Sequence, residues 1–355
     1  MREVMELTKE LIRFPSMHSR PEEIQRCADF VAGYLEEAGA ACQRYDVEGI
    51  PSLLVTPREG YAPVLLMSHI DVVDAPEELF EPVEKDGKLY GRGAIDDKYA
   101  VALSLVLLRR HLERLRAEGK GQEALGFGVL ITGDEEIGGY RGAREVLKDA
   151  RADFCIALDG GSVHEIILKE KGILRLRLTA QGKTAHGARP WLGENAIEIL
   201  MDDLRTIRPL FDLDAPDHWH RTLNLGWIRG GTSVNQVPDT AEAKLDIRYT
   251  EEDDLDRLVE EVKQRVRSRV EVLEREPLFF GEKTAHVERL MEFIPGVRLG
   301  QAHGASDARF LSRYGIPGIV WGADGENTQH SLDEHVVVES VERLYHAIDR
   351  LVQGV

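Results

Sequence analysis

The sequence predicts an α/β protein: a mainly parallel sheet with helices on both faces, interrupted by an inserted α+β domain of ferredoxin-like order. Three observations carry this. Apolar runs at 64–67, 127–131 and 154–158 read as strands buried on both faces, with helical periodicity between the first two. From about Ile173 the pattern becomes alternating, with Leu174, Leu176 and Leu178 set against Arg175, Arg177 and Thr179, as in a half-exposed antiparallel strand. The length, 355 residues, exceeds what one hydrophobic core usually organises. The expected division is 1–172 with 283–355 as one domain and 173–282 as the insertion.

Taken in order, Val4, Leu7, Leu11 and Ile12 recur at helical spacing until Phe14-Pro15-Ser16 ends the helix. Ile24, Cys27, Ala28, Val31 and Leu35 mark a second amphipathic helix, stopped at Gly39. A short β stretch around Leu53-Leu54-Val55 precedes the strand that ends in Ser68-His69-Ile70-Asp71. Past the Gly91-Arg92-Gly93 turn, a largely apolar helix over 100–115 crosses to strand 127–131, which runs into Gly133-Asp134-Glu135-Glu136. A helix near 142–148 leads to strand 154–158 and Asp159-Gly160-Gly161. Three successive strands thus deliver His or carboxylate groups at one end, where open α/β sheets carry their sites.

In the insertion, the strand of Leu174 is followed by a helix (Ile197, Leu200, Met201, Leu204, Ile207) and a strand over 222–228. Next come an alternating strand (Ala241, Ala243, Leu245, Ile247, Tyr249), a helix (Leu255, Leu258, Val259, Val262, Val266) and a strand over 270–273. That order is β-α-β-β-α-β. Parallel-sheet character returns at 316–321, followed by a loop with Gly322, Gly325, Asn327 and His330 and a last helix built on Val341, Leu344, Ile348 and Leu351. No internal repeat or low-complexity segment is present.

A formal charge of -18 argues against nucleic acid or an anionic membrane as partner, since both are polyanions held by clustered Lys and Arg. The three cysteines lack CxxC spacing, which suggests neither a disulfide framework nor a thiolate metal site and fits a reducing compartment. The charged start, Met1-Arg2-Glu3-Val4-Met5-Glu6, lacks an apolar leader, and no apolar run reaches membrane-spanning length. A cytoplasmic location is expected.

His69 and Asp71 are two apart and share a face if strand geometry persists, so Asp71 is placed to accept the second N–H of a metal-ligating His69. With Asp96, Glu136, Asp159 and His330, His69 makes a set of hard and borderline ligands suited to Zn²⁺, Co²⁺ or Mn²⁺. Two imidazoles and three carboxylates can serve two ions only if one carboxylate bridges, and Asp96 is the nominee. Acidic pairs such as Asp96-Asp97 are usually solvated turn charges. That reading weakens where several of them follow strands converging on one crevice.

The series Ser68-His69-Ile70-Asp71-Val72-Val73, Leu89-Tyr90-Gly91-Arg92-Gly93-Ala94-Ile95-Asp96-Asp97-Lys98 and Gly133-Asp134-Glu135-Glu136 closely resembles the M20 metallopeptidases. The family includes dipeptidases, tripeptidases, acetylornithine deacetylase and succinyl-diaminopimelate desuccinylase. The likeness continues through residues 187–197, Gly230-Gly231-Thr232-Ser233-Val234-Asn235-Gln236-Val237-Pro238, Gly304-Ala305-Ser306-Asp307-Ala308-Arg309-Phe310, and His330 with Glu334. It implies that His69, Asp96, Glu136, Asp159 and His330 bind two metal ions with Asp96 bridging, that Glu135 is the general base, and that Asp71 supports His69. The split between Glu135 and Glu136 rests on the resemblance alone.

The resemblance further implies a catalytic domain, a lid and dimerisation domain in the insertion, a homodimer, and His186 as an oxyanion donor reaching across that dimer. Asn235, Arg248 and Gly304 match positions that contact substrate, although Arg248 lies on the polar face of an alternating strand. His218 and His220 flank Trp219 like a metal pair, but a loop of the insertion is the simpler reading. Two features depart from or divide the family. Tyr99 stands where many members have Gly, which predicts a bulkier helix start and an altered pocket floor. Asp159 at the fourth ligand position resembles the peptidase side, whereas deacetylases and desuccinylases usually have Glu. The expected activity is therefore metal-dependent hydrolysis of amide bonds in a di- or tripeptide, with N-acyl-amino-acid deacylation as the alternative and a non-catalytic binding scaffold as a remote one.

Overall fold

The computed structural model describes residues 1–354 and divides into two compact units. The first comprises Met1–Lys169, Phe279–Ala302 and the chain from Ser306 onward; the second comprises Glu170–Leu278 with His303–Ala305. The limits at 169/170 and 278/279 lie a few residues from those read in the sequence, whereas 303–305 was read with the first domain and falls in the second unit. Glu165–Glu170 and Phe279–Phe280 both join the large sheet of the first unit, and that pairing holds the chain there.

Four mutually parallel strands form the centre of that sheet, in spatial order Phe127–Thr132, Tyr61–His69, Arg151–Ala157 and Gly318–Val320. The chain leaves the His69 strand towards one side and next pairs on its other side, the reversal that opens a crevice at strand carboxyl ends. Register keeps those ends level: His69 lies opposite Thr132 and Met67 opposite Ala157. Antiparallel strands flank the centre, Gln43–Val47 and Ile50–Val55 on one side, Glu165–Glu170 on the other. The sequence reading missed Gln43–Val47 and Arg298–Ala302 because neither contains a fully buried residue or carries an apolar run.

Alternation along the strands explains why both faces are covered. Val64 and Leu66 pack in one core with helices Arg2–Ile12, Pro21–Glu37, Lys98–Ala117 and Val338–Gln353. Leu65 and Met67 pack in another, with Ala143–Val146 and Arg309–Tyr314. Side chains as large as Phe127, Phe154 and Trp321 are fully buried, each worth roughly 1.5–3 kcal/mol of transfer free energy. Tyr99 belongs to this core and is not a pocket floor. Its hydroxyl donates to Leu158 O at 2.7 Å and accepts from Ala323 N at 2.9 Å, tying together two segments that follow strands.

The second unit is a four-stranded antiparallel sheet in the order Thr222–Gly230, Thr240–Tyr249, Gly172–Gln181, Arg269–Glu276. Leu174, Leu176 and Leu178 pack against helices Ala196–Ile207 and Leu255–Arg265, while Arg175 and Arg177 form cross-strand ion pairs with Asp246, Glu274 and Glu271. Chain order is β-α-β-β-α-β, with the first strand internal, as in ferredoxin-like units. Among the described residues, no helix is long and apolar enough to cross a membrane.

Candidate metal centre

Two groups of three potential ligands lie at the strand ends of the first unit: His69, Asp96 and Asp159, and Asp96, Glu136 and His330. Within each group the ligand atoms lie within 4.8 Å of one another, and Asp96 belongs to both. His69 Nε2 is 3.0 Å from Asp96 Oδ1 and 3.9 Å from Asp159 Oδ2. His330 Nε2 is 3.1 Å from Asp96 Oδ2 and 3.2 Å from Glu136 Oε2. One carboxylate therefore faces the two imidazoles with its two oxygens.

The electrostatics agree with this chemistry. Hydrogen bonds to Asp96 and Glu136 raise the His330 pKa to about 10. Burial opposes charge on His69, but Asp71 and Asp96 outweigh it and lift that ring well above its usual value. Burial likewise opposes charge on Asp96, yet His330 and His69 hold its carboxyl below the usual range. Burial, then the charge of Asp159, push Glu135 well above the carboxylate range, with His69 opposing. So dense a set of carboxylates around two imidazole nitrogens fits a pair of divalent cations, which neutralise the same charge through N and O donors.

Each element is held by a buried device. Asp96 precedes the helix Lys98–Ala117, and its turn is anchored by Glu334, whose Oε1 accepts from Gly93 N at 2.9 Å and from Ile95 N and Asp96 N at 3.3 Å. The other Glu334 oxygen pairs with Arg92, whose guanidinium also donates to His330 O at 3.2 Å and Ser331 O at 3.3 Å. This holds the His330 loop although His330 itself has φ +62°, a left-handed conformation uncommon for a residue with a side chain. The Gly91-Arg92-Gly93 turn thus serves to fix two ligand segments to each other.

Asp71 is fully buried and does more than orient one ring. His69 Nδ1 is 3.0 Å from the Asp71 backbone carbonyl and 3.4 Å from its Oδ1, so the carbonyl, not the expected carboxylate, makes the closest contact. The carboxylate accepts from Glu135 N at 3.2 Å and Glu136 N at 3.0 Å, and Oδ2 lies 2.9 Å from His18 Nε2. Burial works against its charge, but His18 and His69 hold its pKa at about 2. On the far side of the same turn, buried Arg309 donates to Gly138 O at 2.6 Å. Glu135, Ser306 and Asp307 line a small cavity with His69 and Asp159, and burial pushes Asp307 up to about 7 against the pull of Arg309.

The remaining expected residues lie in the second unit. His186 is exposed, its Nδ1 accepts from Ala188 N at 3.0 Å, and Gly187 N donates to Asn235 O at 2.7 Å. The pairing of Ala185–His186 with Gln236–Val237 therefore brings His186 and Asn235 into neighbouring strands and turns. Arg248 Nε donates to Asp246 at 2.8 Å, so its fork is engaged within the sheet. Gly304 is exposed, with open space where a Cβ would sit. In the His218-Trp219-His220 loop the two histidines offer backbone carbonyls to Lys171 Nζ, both at 2.7 Å. Sequence reasoning gave no role to His18, Arg92 or Glu334. The last two stood inside matched motifs, whereas His18 carried no signal.

The profile of peptidase family M20/M25/M40 matches residues 65–354. A succinyl-diaminopimelate desuccinylase of Methylorubrum extorquens is 31% identical over 378 residues, covering 95% of each chain. One of Xylella fastidiosa is 29% identical over 378 residues, covering 97% of this chain and 96% of its own. Among solved structures, a tripeptidase from Staphylococcus aureus has a TM-score of 0.82 at 22% identity, covering 99% of this chain and 97% of that one. Aminopeptidase PepT from Bacillus cereus has a TM-score of 0.78 at 22% identity, covering 99% and 98%. At such identities the structural likeness concerns the fold.

Proposed function

The chain belongs to peptidase family M20/M25/M40, and from that premise and the geometry above we propose that it hydrolyses amide bonds in short peptides at a dinuclear metal centre. It is an enzyme of the metallohydrolase type. The observation that carries the reading is the pair of ligand groups sharing Asp96. His69, Asp96 and Asp159 would hold one ion and Asp96, Glu136 and His330 the other, with zinc first and cobalt or manganese as substitutes. When bound, such ions lower the pKa of a shared water and polarise the scissile carbonyl.

Glu135, its pKa raised by burial, takes a proton from the attacking water and returns it to the leaving amine. Asp71 orients His69 and fixes the amides of Glu135 and Glu136. His186 donates to the developing oxyanion from the partner subunit of a homodimer, and Asn235 and Gly304 contact substrate. Arg248, held by Asp246, is the weakest of the substrate contacts. The second unit is the lid and dimerisation domain. Its edge strand Thr222–Gly230 exposes Leu225, Trp227 and Ile228, which supports pairing with a second copy. A cytoplasmic location completes the reading.

Asp159 favours short peptides as substrate. The desuccinylase names of relatives matching nearly the whole chain favour the second reading, deacylation of N-acyl amino acids. Dipeptides, tripeptides and N-acetyl and N-succinyl amino acids are to be assayed side by side after chelation and reconstitution with Zn²⁺, Co²⁺ or Mn²⁺. Hydrolysis of peptides alone supports the first reading and of N-acyl amino acids alone the second. No turnover of any substrate with any metal refutes both.

A further inference from the structure

We propose that His18 is a positioning residue of the metal centre, holding the Asp71 carboxylate and, through it, the His69 ring and the turn that carries Glu135 and Glu136. The inference rests on the ligand assignment above. Its first support is the set of contacts that meet at Asp71. Two backbone amides, of Glu135 and Glu136, donate to its carboxylate at 3.2 and 3.0 Å, and His69 Nδ1 approaches Oδ1 at 3.4 Å. His18 Nε2, at 2.9 Å, is the nearest side-chain nitrogen of the two imidazoles. Asp71 itself is fully buried, so each donor it lacks leaves charge without compensation.

The second support is how firmly the His18 segment is tied to the strand end. Ser16 Oγ donates to Ile70 O at 2.6 Å and Val72 N donates to Ser16 O at 3.1 Å. Met17 forms a parallel bridge with Val72, and Ala75 N donates to Met17 Sδ at 3.3 Å. Residues 16–18 thus run beside residues 70–72 as a short added ladder, and the His18 ring is delivered to Asp71 by backbone pairing. Both the neutral Nε2–H tautomer and the protonated ring can donate to the carboxylate, so the role does not depend on titration. The His18 side chain retains 21% exposure. It joins the surface to a buried carboxylate one contact removed from a proposed ligand.

Partners behind metal-ligating groups are typically worth about tenfold to hundredfold in metal affinity or activity. Removing His18 leaves Asp71 one backbone donor on each carboxylate oxygen, so we expect the lower part of that range.

The test is Zn²⁺ affinity by chelator competition, with kcat and KM, for wild type, His18→Ala, His18→Phe and His18→Gln, each first shown to be folded by circular dichroism. His18→Ala and His18→Phe should weaken the tighter ion by about tenfold and lower kcat by a similar factor with KM little changed. His18→Gln, which restores an N–H donor, should recover most of both. Wild-type affinity in folded His18→Ala overturns the proposal. So does recovery by Phe but not by Gln, since that pattern belongs to packing. A wild type that binds zinc but cleaves neither substrate class refutes the functional reading and leaves the affinity comparison to decide the role of His18.

Discussion

Glu334→Ala offers the sharpest test of how the centre is assembled. Glu334 is 1% exposed and Arg92, its ion-pair partner, 2% exposed. Removing one partner of a buried ion pair strands the other, at about 3–5 kcal/mol. The amides of Gly93, Ile95 and Asp96 lose their acceptor as well, although water entering the vacated volume can satisfy part of that demand. A loss of about 3–5 kcal/mol is a large share of a typical stability of about 5–15 kcal/mol. It should appear as a lower urea midpoint and as faster hydrogen exchange at residues 93–96. Metal content after gel filtration should fall together with stability, because the same carboxylate anchors the Asp96 turn and, through Arg92, the His330 loop. Replacing both partners, as Arg92→Met with Glu334→Leu, removes the stranded charge and should recover much of the stability, but not the metal. A Glu334→Ala protein within about 1 kcal/mol of wild type, with full metal content, would refute the argument.

Three other outcomes are expected. Glu135→Gln should keep its metal, measured by elemental analysis, while kcat falls by about 10²–10⁴; a fall below tenfold removes Glu135 as proton carrier. Tyr99→Phe strands Leu158 O and the Ala323 amide in a fully buried position and should lower stability by about 1–3 kcal/mol in urea unfolding; no change would place water there instead. Mixing Glu135→Gln with His186→Ala subunits under exchange should restore about a quarter of wild-type activity, since half of the random dimers carry one complete site. Complementation fails if His186 acts within its own chain.

Much of the centre was legible because strand ends and the residues after them are adjacent in the chain. His69, Glu135, Glu136 and Asp159 each follow a buried apolar run within a few residues, so the pattern that marks the strand also marks the group. Asp96 and His330 stand in turns that local periodicity cannot place; side-chain chemistry makes them candidates, and the resemblance of the surrounding motifs is what implies that they share one centre. The inserted unit was visible as a change from continuous to alternating apolar residues, because one face of its sheet meets helices and the other carries Arg175 and Arg177.

Taken alone, the sequence determined which residues can carry charge to the ends of which strands, since burial periodicity and chain adjacency are local properties. Only the tertiary structure decided that the two oxygens of Asp96 face two different imidazoles, that Glu334 and Arg92 join segments 242 positions apart, and that His18 rests on Asp71. Such contacts depend on the sheet order and register that bring distant turns within hydrogen-bond reach. No spacing along the chain encodes a distance of 2.9 Å between residues 18 and 71.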